Sequence, residues 1–347
     1  MTIDTLAPGR PPCSATEREA AQTLTETVGR LGLQPVIESV RSPTSPTWMP
    51  LLRTLGRVWA AAFLAAGFFV PARGLAALAV VGGVPAIAGA IRFLPLLGGA
   101  TQNVAVRIRG SAPDARPLIV AAHMDTHPTN GAPLGGPHRL VAAASGLAAL
   151  VASFGGVSAR ATAGFVAAEG ILTLAWLARR ELAKPRLPPD DNTSGLMTLS
   201  RLAELAGQTR PARDVWLLAT GAGTAGGFGM AAFLRTHRDL RHAWVVEVDA
   251  LGSGEVVASP VPPRFPNPGT PSALVRAVAA AAQTSGDPLG IRRVRRPHSD
   301  ARAALRYRTA AITLTAGIAH PAREPGPDPA NAARVARVLL ELARRTD

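Results

Sequence analysis

The chain has one cysteine, Cys13, among 347 residues. That excludes an internal disulfide framework and any cysteine-rich metal site. Aromatic side chains make up only 4% of the sequence. Acidic residues are also few, 23 against 37 basic ones, for a net charge of +14. Such an excess suits nucleic acid or an anionic membrane face. The bases are scattered, no nucleic-acid motif is present and aromatics are scarce, so nucleic acid is excluded as a partner. The N-terminus is polar, acidic and proline-bearing, and it does not read as a secretory signal peptide. No internal repeat is evident.

What the chain does have is apolar sequence in two blocks. The first runs from Val58 to Leu97 and is broken at Pro71-Ala72-Arg73-Gly74. Its limbs, Val58 to Val70 and Leu75 to Ile91, are short beside the roughly 20 residues of a membrane span. The second runs from Leu140 to Ala178 and breaks near Gly155-Gly156 and Ser158-Ala159-Arg160. Each block goes out and returns, which predicts two inserted apolar helical hairpins. Helices apolar all round must hide every face, in lipid or in a large core. Arg53, Arg57, Arg92, Arg139, Arg179, Arg180, Lys184 and Arg186 flank the outer ends, whereas the tips carry only Arg73 and Arg160. The positive-inside bias then predicts a multi-pass protein of the cell membrane, in contact with lipid, with a cytoplasmic soluble domain. Buried core helices of a soluble protein are the alternative. Glu169 lies inside the last limb, where a carboxylate marks a functional position or a helix contact.

Elsewhere strands alternate with helices, predicting an α/β fold with a mixed, mostly parallel sheet between helices. Ser14-Ala15-Thr16-Glu17 is a capping-box pattern that opens a helix to about Arg30. Strands are expected at 36–40, 103–109, up to His123, and at 215–219, 243–250 and 311–315. Helices are expected from Ser194 to Leu205, through Phe233, from Ser272 to Gln283, and from Asp328-Pro329 to Arg345. The organisation expected is an N-terminal helix and linker (1–47), the first hairpin (48–98), and an α/β domain (99–347) interrupted by the second hairpin (140–180).

Four short motifs fall at strand ends of this frame. They are His123-Met124-Asp125, Asp190-Asp191-Asn192-Thr193-Ser194-Gly195, Val246-Glu247-Val248-Asp249, and His320. Singly, each has a bland explanation: a loop pair, a helix cap, a strand-end turn, an exposed loop histidine. Together and in order they resemble the zinc aminopeptidases of the di-zinc exopeptidase clan. The resemblance covers about Asn103 to the C-terminus, outside the second apolar block.

That resemblance implies metal ligands at His123, Asp191, Asp249 and His320, with Asp191 bridging two metals. It implies that Asp125 orients His123. The family also carries a Glu-Glu pair in a pattern reading Gly-Ala-Glu-Glu-x-Gly-x-x-Gly. Here the frame is Gly221-Ala222-Gly223-Thr224-Ala225-Gly226-Gly227-Phe228-Gly229, and both glutamates are gone. Gly223 falls on the general base and Thr224 on a ligand of the second metal. Glu324 stands where the family often has an acid after the last histidine. Ser299-Asp300-Ala301 matches a Ser-Asp-His element without its histidine.

One zinc, at His123, Asp191 and Asp249, has the three protein ligands usual for an open site. The second metal keeps only Asp191 and His320. Loss of a general base costs about 10²–10⁴ in rate. Glu247 shares a strand face with Asp249 and is the candidate substitute base. The function implied is a membrane-associated zinc metallopeptidase-like protein of aminopeptidase type, weak or inactive, taking a peptide or an N-terminal amino acid. The alternative is a non-enzymatic pseudopeptidase that binds metal, peptide ends or membrane partners. Restoring glutamates at 223 and 224 is then expected to raise activity. His127, His138, His237, His242 and His298 have no counterpart and read as loop or surface residues.

Overall fold

A computed structural model describes residues 3–6, 9–42, 99–112, 114–126, 192–252, 254–263, 268–294, 299–316 and 326–346. Both apolar blocks, with Glu169 and the two tip arginines, lie outside the described residues. So do Asp191, His320, Glu324, His127, His138 and His298. Among the described residues no helix is long and apolar enough to cross a membrane.

Eight strands form one sheet: β1 (Val36–Ser42), β2 (Gly99–Ile108), β3 (Leu118–His123), β4 (Val215–Thr220), β5 (Trp244–Val248), β6 (Val256–Ser259), β7 (Gly290–Ile291) and β8 (Ala310–Ala316). Their spatial order is β1-β2-β4-β3-β5-β8-β6-β7. The centre, β4-β3-β5-β8, is parallel. Antiparallel pairing joins β1 to β2, β2 to β4 and β6 to β8. The sheet is therefore mixed around a parallel centre, as the alternating pattern predicts.

Among the described residues six α-helices cover it: α1 (Ala15–Gly29), α2 (Thr193–Gln208), α3 (Phe228–Thr236), α4 (Ser272–Thr284), α5 (Asp300–Arg306) and α6 (Pro329–Arg344). β3 is apolar up to its last residue, His123, because both of its faces are covered. Leu118, Val120 and Ala122 join the core under α1, α2, α4 and α6. Ile119 and Ala121 join the core under α3 and α5. By that alternation His123, the last residue of β3, belongs to the α3–α5 face.

Local sequence explains the helix starts. The Ser14 hydroxyl accepts from Glu17 N at 3.1 Å. Asp328 caps α6 by accepting from Ala330 N, with Pro329 at the first helical position. The second half of the capping box does not form. The Glu17 carboxylate is fully buried and accepts from Cys13 N, one residue before Ser14, and from Thr101 and Ala222 in the sheet and the loop after it.

Candidate metal centre

Chain order places the site. From β3 the chain returns through α2 to β4 on one side, whereas β5 leads on towards β6 and β8 on the other. Connections thus diverge between β3 and β5, and their C-terminal ends form the crevice where α/β sheets bind ligands. His123 ends β3, and Asp249 directly follows β5.

One residue ties the two exits together. Asn192 donates through Nδ2 to the His123 carbonyl at 3.1 Å and accepts from Ala250 N at 3.0 Å. It sits at φ 51°, a left-handed conformation that asparagine tolerates. Any side chain at Gly195 would collide with Asn192. Ser194 adds a second tie, accepting from Leu251 N at 2.9 Å.

His123 and Asp249 meet, with Nε2 3.3 Å from Oδ1. On the other side of the ring, Nδ1 lies 2.7 Å from the carbonyl oxygen of Asp125. A carbonyl can only accept, so Nδ1 carries the hydrogen. In neutral His123 the bare Nε2 lone pair therefore faces a carboxylate oxygen. A proton or a metal cation between them removes that conflict. Burial alone would lower the pKa of His123. The hydrogen bond and charge of Asp249, and the charges of Asp125 and Asp300, outweigh it and push the ring up to about 10. A nitrogen and a carboxylate oxygen facing one point are donors of the type zinc takes.

The resemblance implies that the Asp125 carboxylate orients His123; in the structure Asp125 holds the ring through its carbonyl. Its carboxylate is 3.9 Å from His123 Nδ1, beyond hydrogen-bond range. The carboxylate, fully buried, accepts from Gly223 N at 2.6 Å, from Thr224 N at 3.0 Å and from the Thr224 hydroxyl. So the two residues standing in place of the glutamate pair are held by Asp125. Position 223 has no room for a side chain, since a Cβ there would lie 2.5 Å from the Cβ of His123.

Glu247 lies on the α3–α5 face as expected, but beneath the crevice. It is fully buried and accepts from Asp300 N and from the Thr313 hydroxyl, both at 2.6 Å. With each oxygen engaged and no solvent exposure, it does not stand where a base must meet a water. Burial, then the charges of Asp300 and Asp249, raise its pKa to about 8. Asp300 Oδ2 accepts from Thr220, which pairs with His123 across β3 and β4. Asp300 Oδ1 is buried without a hydrogen-bond partner among the described residues.

Two buried groups whose part in the site carries no sequence signal support the ends of β3 and β4. Arg10 donates through Nε to the Met124 carbonyl at 2.7 Å, and its backbone exchanges hydrogen bonds with Thr126. Glu17 holds Ala222. His242 is exposed, in keeping with a surface reading. His237 is half-buried, its ring 4.4 Å from that of Phe233, and Nε2 lies 2.6 Å from Glu38. Among the described residues no three histidine, cysteine or acidic groups converge on one point.

The fold has solved counterparts. A leucine aminopeptidase precursor from Bacteroides thetaiotaomicron superposes with a TM-score of 0.56 over 98% of this chain and 92% of its own, at 11% identity. An aminopeptidase from Aneurinibacillus sp. strain AM-1 gives 0.56 over 99% and 91%, at 11% identity. The zinc aminopeptidase BSAP from Bacillus subtilis gives 0.54 over 96% and 90%, at 9% identity. The fold is shared with these solved aminopeptidases. At these identities the likeness establishes the fold alone. No family model matches the sequence, and no curated protein matches it either.

Proposed function

We propose that this chain is a zinc-binding, metallopeptidase-like protein of the aminopeptidase type in which hydrolysis is weak or lost. The observation that carries the reading is the bare Nε2 of His123 facing Asp249 at 3.3 Å, with Nδ1 already committed to a carbonyl. Buried acids reinforce it. Asp125 and Asp300 are fully buried and Asp249 nearly so, and a divalent cation would offset the negative charge that these carboxylates carry. His123, Asp249 and Asp191 would hold one zinc, and a second site would keep only Asp191 and His320, with Thr224 on the position of its glutamate.

A bound zinc supplies Lewis-acid polarisation of a substrate carbonyl. The protein's own residues would orient it. The Asp125 carbonyl fixes the tautomer of His123, and Asn192 fixes the spacing of His123 from Asp249. Among the described residues none stands as a general base. Gly223 has no side chain, the Thr224 hydroxyl is committed to Asp125, and Glu247 is sealed below. The ligand class suggested by the zinc aminopeptidases of like fold is a peptide or an N-terminal amino acid.

The test is metal analysis with turnover of aminoacyl reporter substrates. Purified protein is expected to retain about one zinc per chain, and His123→Ala and Asp249→Ala to lose it, without robust turnover in any of them. Absence of zinc in the wild type, or strong turnover, overturns the reading. The two apolar blocks extend the proposal to a membrane-associated protein with its α/β domain on the cytoplasmic side. Release of the full chain from membranes without detergent would remove that part.

A further inference from the structure

We propose that Glu17 is a positioning residue for the site: from α1 it fixes the loop Gly221–Thr224 and, through it, the seat of His123. The proposal rests on the reading of His123 as a metal ligand. Its basis is a run of four consecutive backbone N–H groups, each taken by a side-chain oxygen. Gly221 N donates to Asn103 Oδ1 at 3.2 Å, and Ala222 N to Glu17 Oε1 at 2.9 Å. Gly223 N and Thr224 N donate to Asp125 at 2.6 and 3.0 Å. Three acceptors from three separate parts of the chain thus define one loop.

Glu17 holds the hardest member of that run. Ala222 has φ 52°, a left-handed conformation disfavoured for a residue with a Cβ. Such a conformation persists only where its surroundings over-determine it. Next along the loop, Gly223 lies directly against His123, as the 2.5 Å separation from a Cβ placed there shows. A shift of the loop at Ala222 therefore reaches His123 through one residue.

A purely local capping role does not account for Glu17. Helix capping needs neither full burial nor a contact 205 residues away in sequence. The second oxygen, Oε2, is fixed by Cys13 N and by the Thr101 hydroxyl, both at 2.7 Å. With Oε2 anchored on the segment before α1 and on β2, Oε1 is aimed at Ala222. The carboxylate acts as a bridge between the N-terminal segment and the loop.

The experiment compares Glu17→Ala and Glu17→Gln with the wild type by two readouts. One is backbone amide exchange at 222–224 relative to Leu218 in β4. The other is cobalt(II) affinity of the full chain, followed by absorption. Glu17→Ala should speed exchange at 222–224 about tenfold or more beyond any change at Leu218, and weaken cobalt about 10–100-fold, the effect of losing an outer-shell support. Glu17→Gln, whose amide oxygen can still accept from Ala222 while its NH2 donates to the Thr101 hydroxyl and gives up the bond from Cys13 N, should recover part of both. If Glu17→Ala does not fold, Glu17→Asp, which withdraws the carboxylate by one methylene, gives the same comparison. Equal changes at 222–224 and Leu218, or unchanged cobalt affinity in a loosened loop, overturn the proposal. If the wild type takes no cobalt, the metal reading fails, and the exchange comparison alone decides whether Glu17 holds the loop.

Discussion

Gly223 and His123 are packed backbone to side chain, so that a Cβ at position 223 would stand 2.5 Å from the Cβ of His123. From the sequence alone, restoring the glutamate pair at 223 and 224 is expected to restore hydrolysis. The packing argues the reverse. Gly223→Ala should destabilise the protein by about 1–3 kcal/mol through overpacking. Gly223→Glu with Thr224→Glu should lose metal affinity rather than gain turnover, because His123 must be pushed aside. Urea unfolding and zinc titration of both variants check this. A double variant that binds a second zinc and turns over substrate would show that the loop yields easily.

The parallel sheet was legible because its strands are short apolar runs separated by helical periodicity, and the strands and helices expected within the described residues are present. β6, β7 and α5 were not foreseen, being short and lacking a clear period. At the site, His123 and Asp249 were legible from their places at strand ends, and they do meet. The role of Asp125 was not, because spacing says which residues are neighbours but not whether the carbonyl or the carboxylate makes the contact. Glu17 was hidden for a related reason. It fits a local capping pattern, and only the tertiary fold reveals that its carboxylate belongs to a loop near position 222. Glu247 has the predicted face but the wrong depth, which pleat alternation cannot give.

The buried ionisable groups make metal-free stability depend on pH with one sign. Burial is the first cause of the raised values for Glu17, about 7, Glu247, about 8, and Asp300, about 6. An acid raised in the folded state binds its proton more tightly there than when unfolded. Its favourable contribution is lost as pH rises through the folded value. Protonated His123, raised to about 10 by Asp249 first among its partners, behaves the same way. Metal-free protein should therefore lose stability steadily from roughly pH 5 to pH 10. Denaturation midpoints across that range check it, and a profile that rises with pH would contradict the assignment of these protons.

Zinc must displace the proton on His123. Its affinity should therefore climb about tenfold per pH unit below pH 10, with about one proton released per ion at neutral pH. Calorimetry in buffers of different ionisation enthalpy counts that proton. Saturation with zinc should also flatten the stability profile, since the cation offsets the same buried charge. A pH-independent affinity would mean that His123 is neutral in the metal-free protein and that Nε2 does not face Asp249 in solution.

Glu247→Gln separates a buried support from a base. The substitution keeps the shape and can still accept from Asp300 N, while the Thr313 hydroxyl can turn to accept from the new amide. Stability near pH 5 should change by about 1 kcal/mol or less. The decline above that pH should shrink, because the group with a value near 8 is gone. Zinc affinity should remain within about tenfold. Whatever residual turnover exists should be untouched, whereas its abolition in a folded, zinc-loaded variant would return Glu247 to the role of base.

Asn192 offers the sharpest test of how the fold sets the spacing of the two ligands. Its amide joins the His123 carbonyl to Ala250 N, so its loss frees the exits of β3 and β5 from each other. Two buried backbone groups would also lose their partners, at about 1–3 kcal/mol each. Asn192→Ala carries a further cost, because φ 51° strains alanine. Asn192→Gly removes the same hydrogen bonds without that strain. The difference in unfolding free energy between the two variants thus measures the backbone term, about 1 kcal/mol. What they share measures the tie. If the tie sets the 3.3 Å approach of His123 to Asp249, both variants should weaken zinc binding to the same extent, despite their unequal stabilities. Zinc affinity that follows stability instead, falling further in Asn192→Ala, would mean that the spacing is set by the packing of β3 against β5 and not by Asn192.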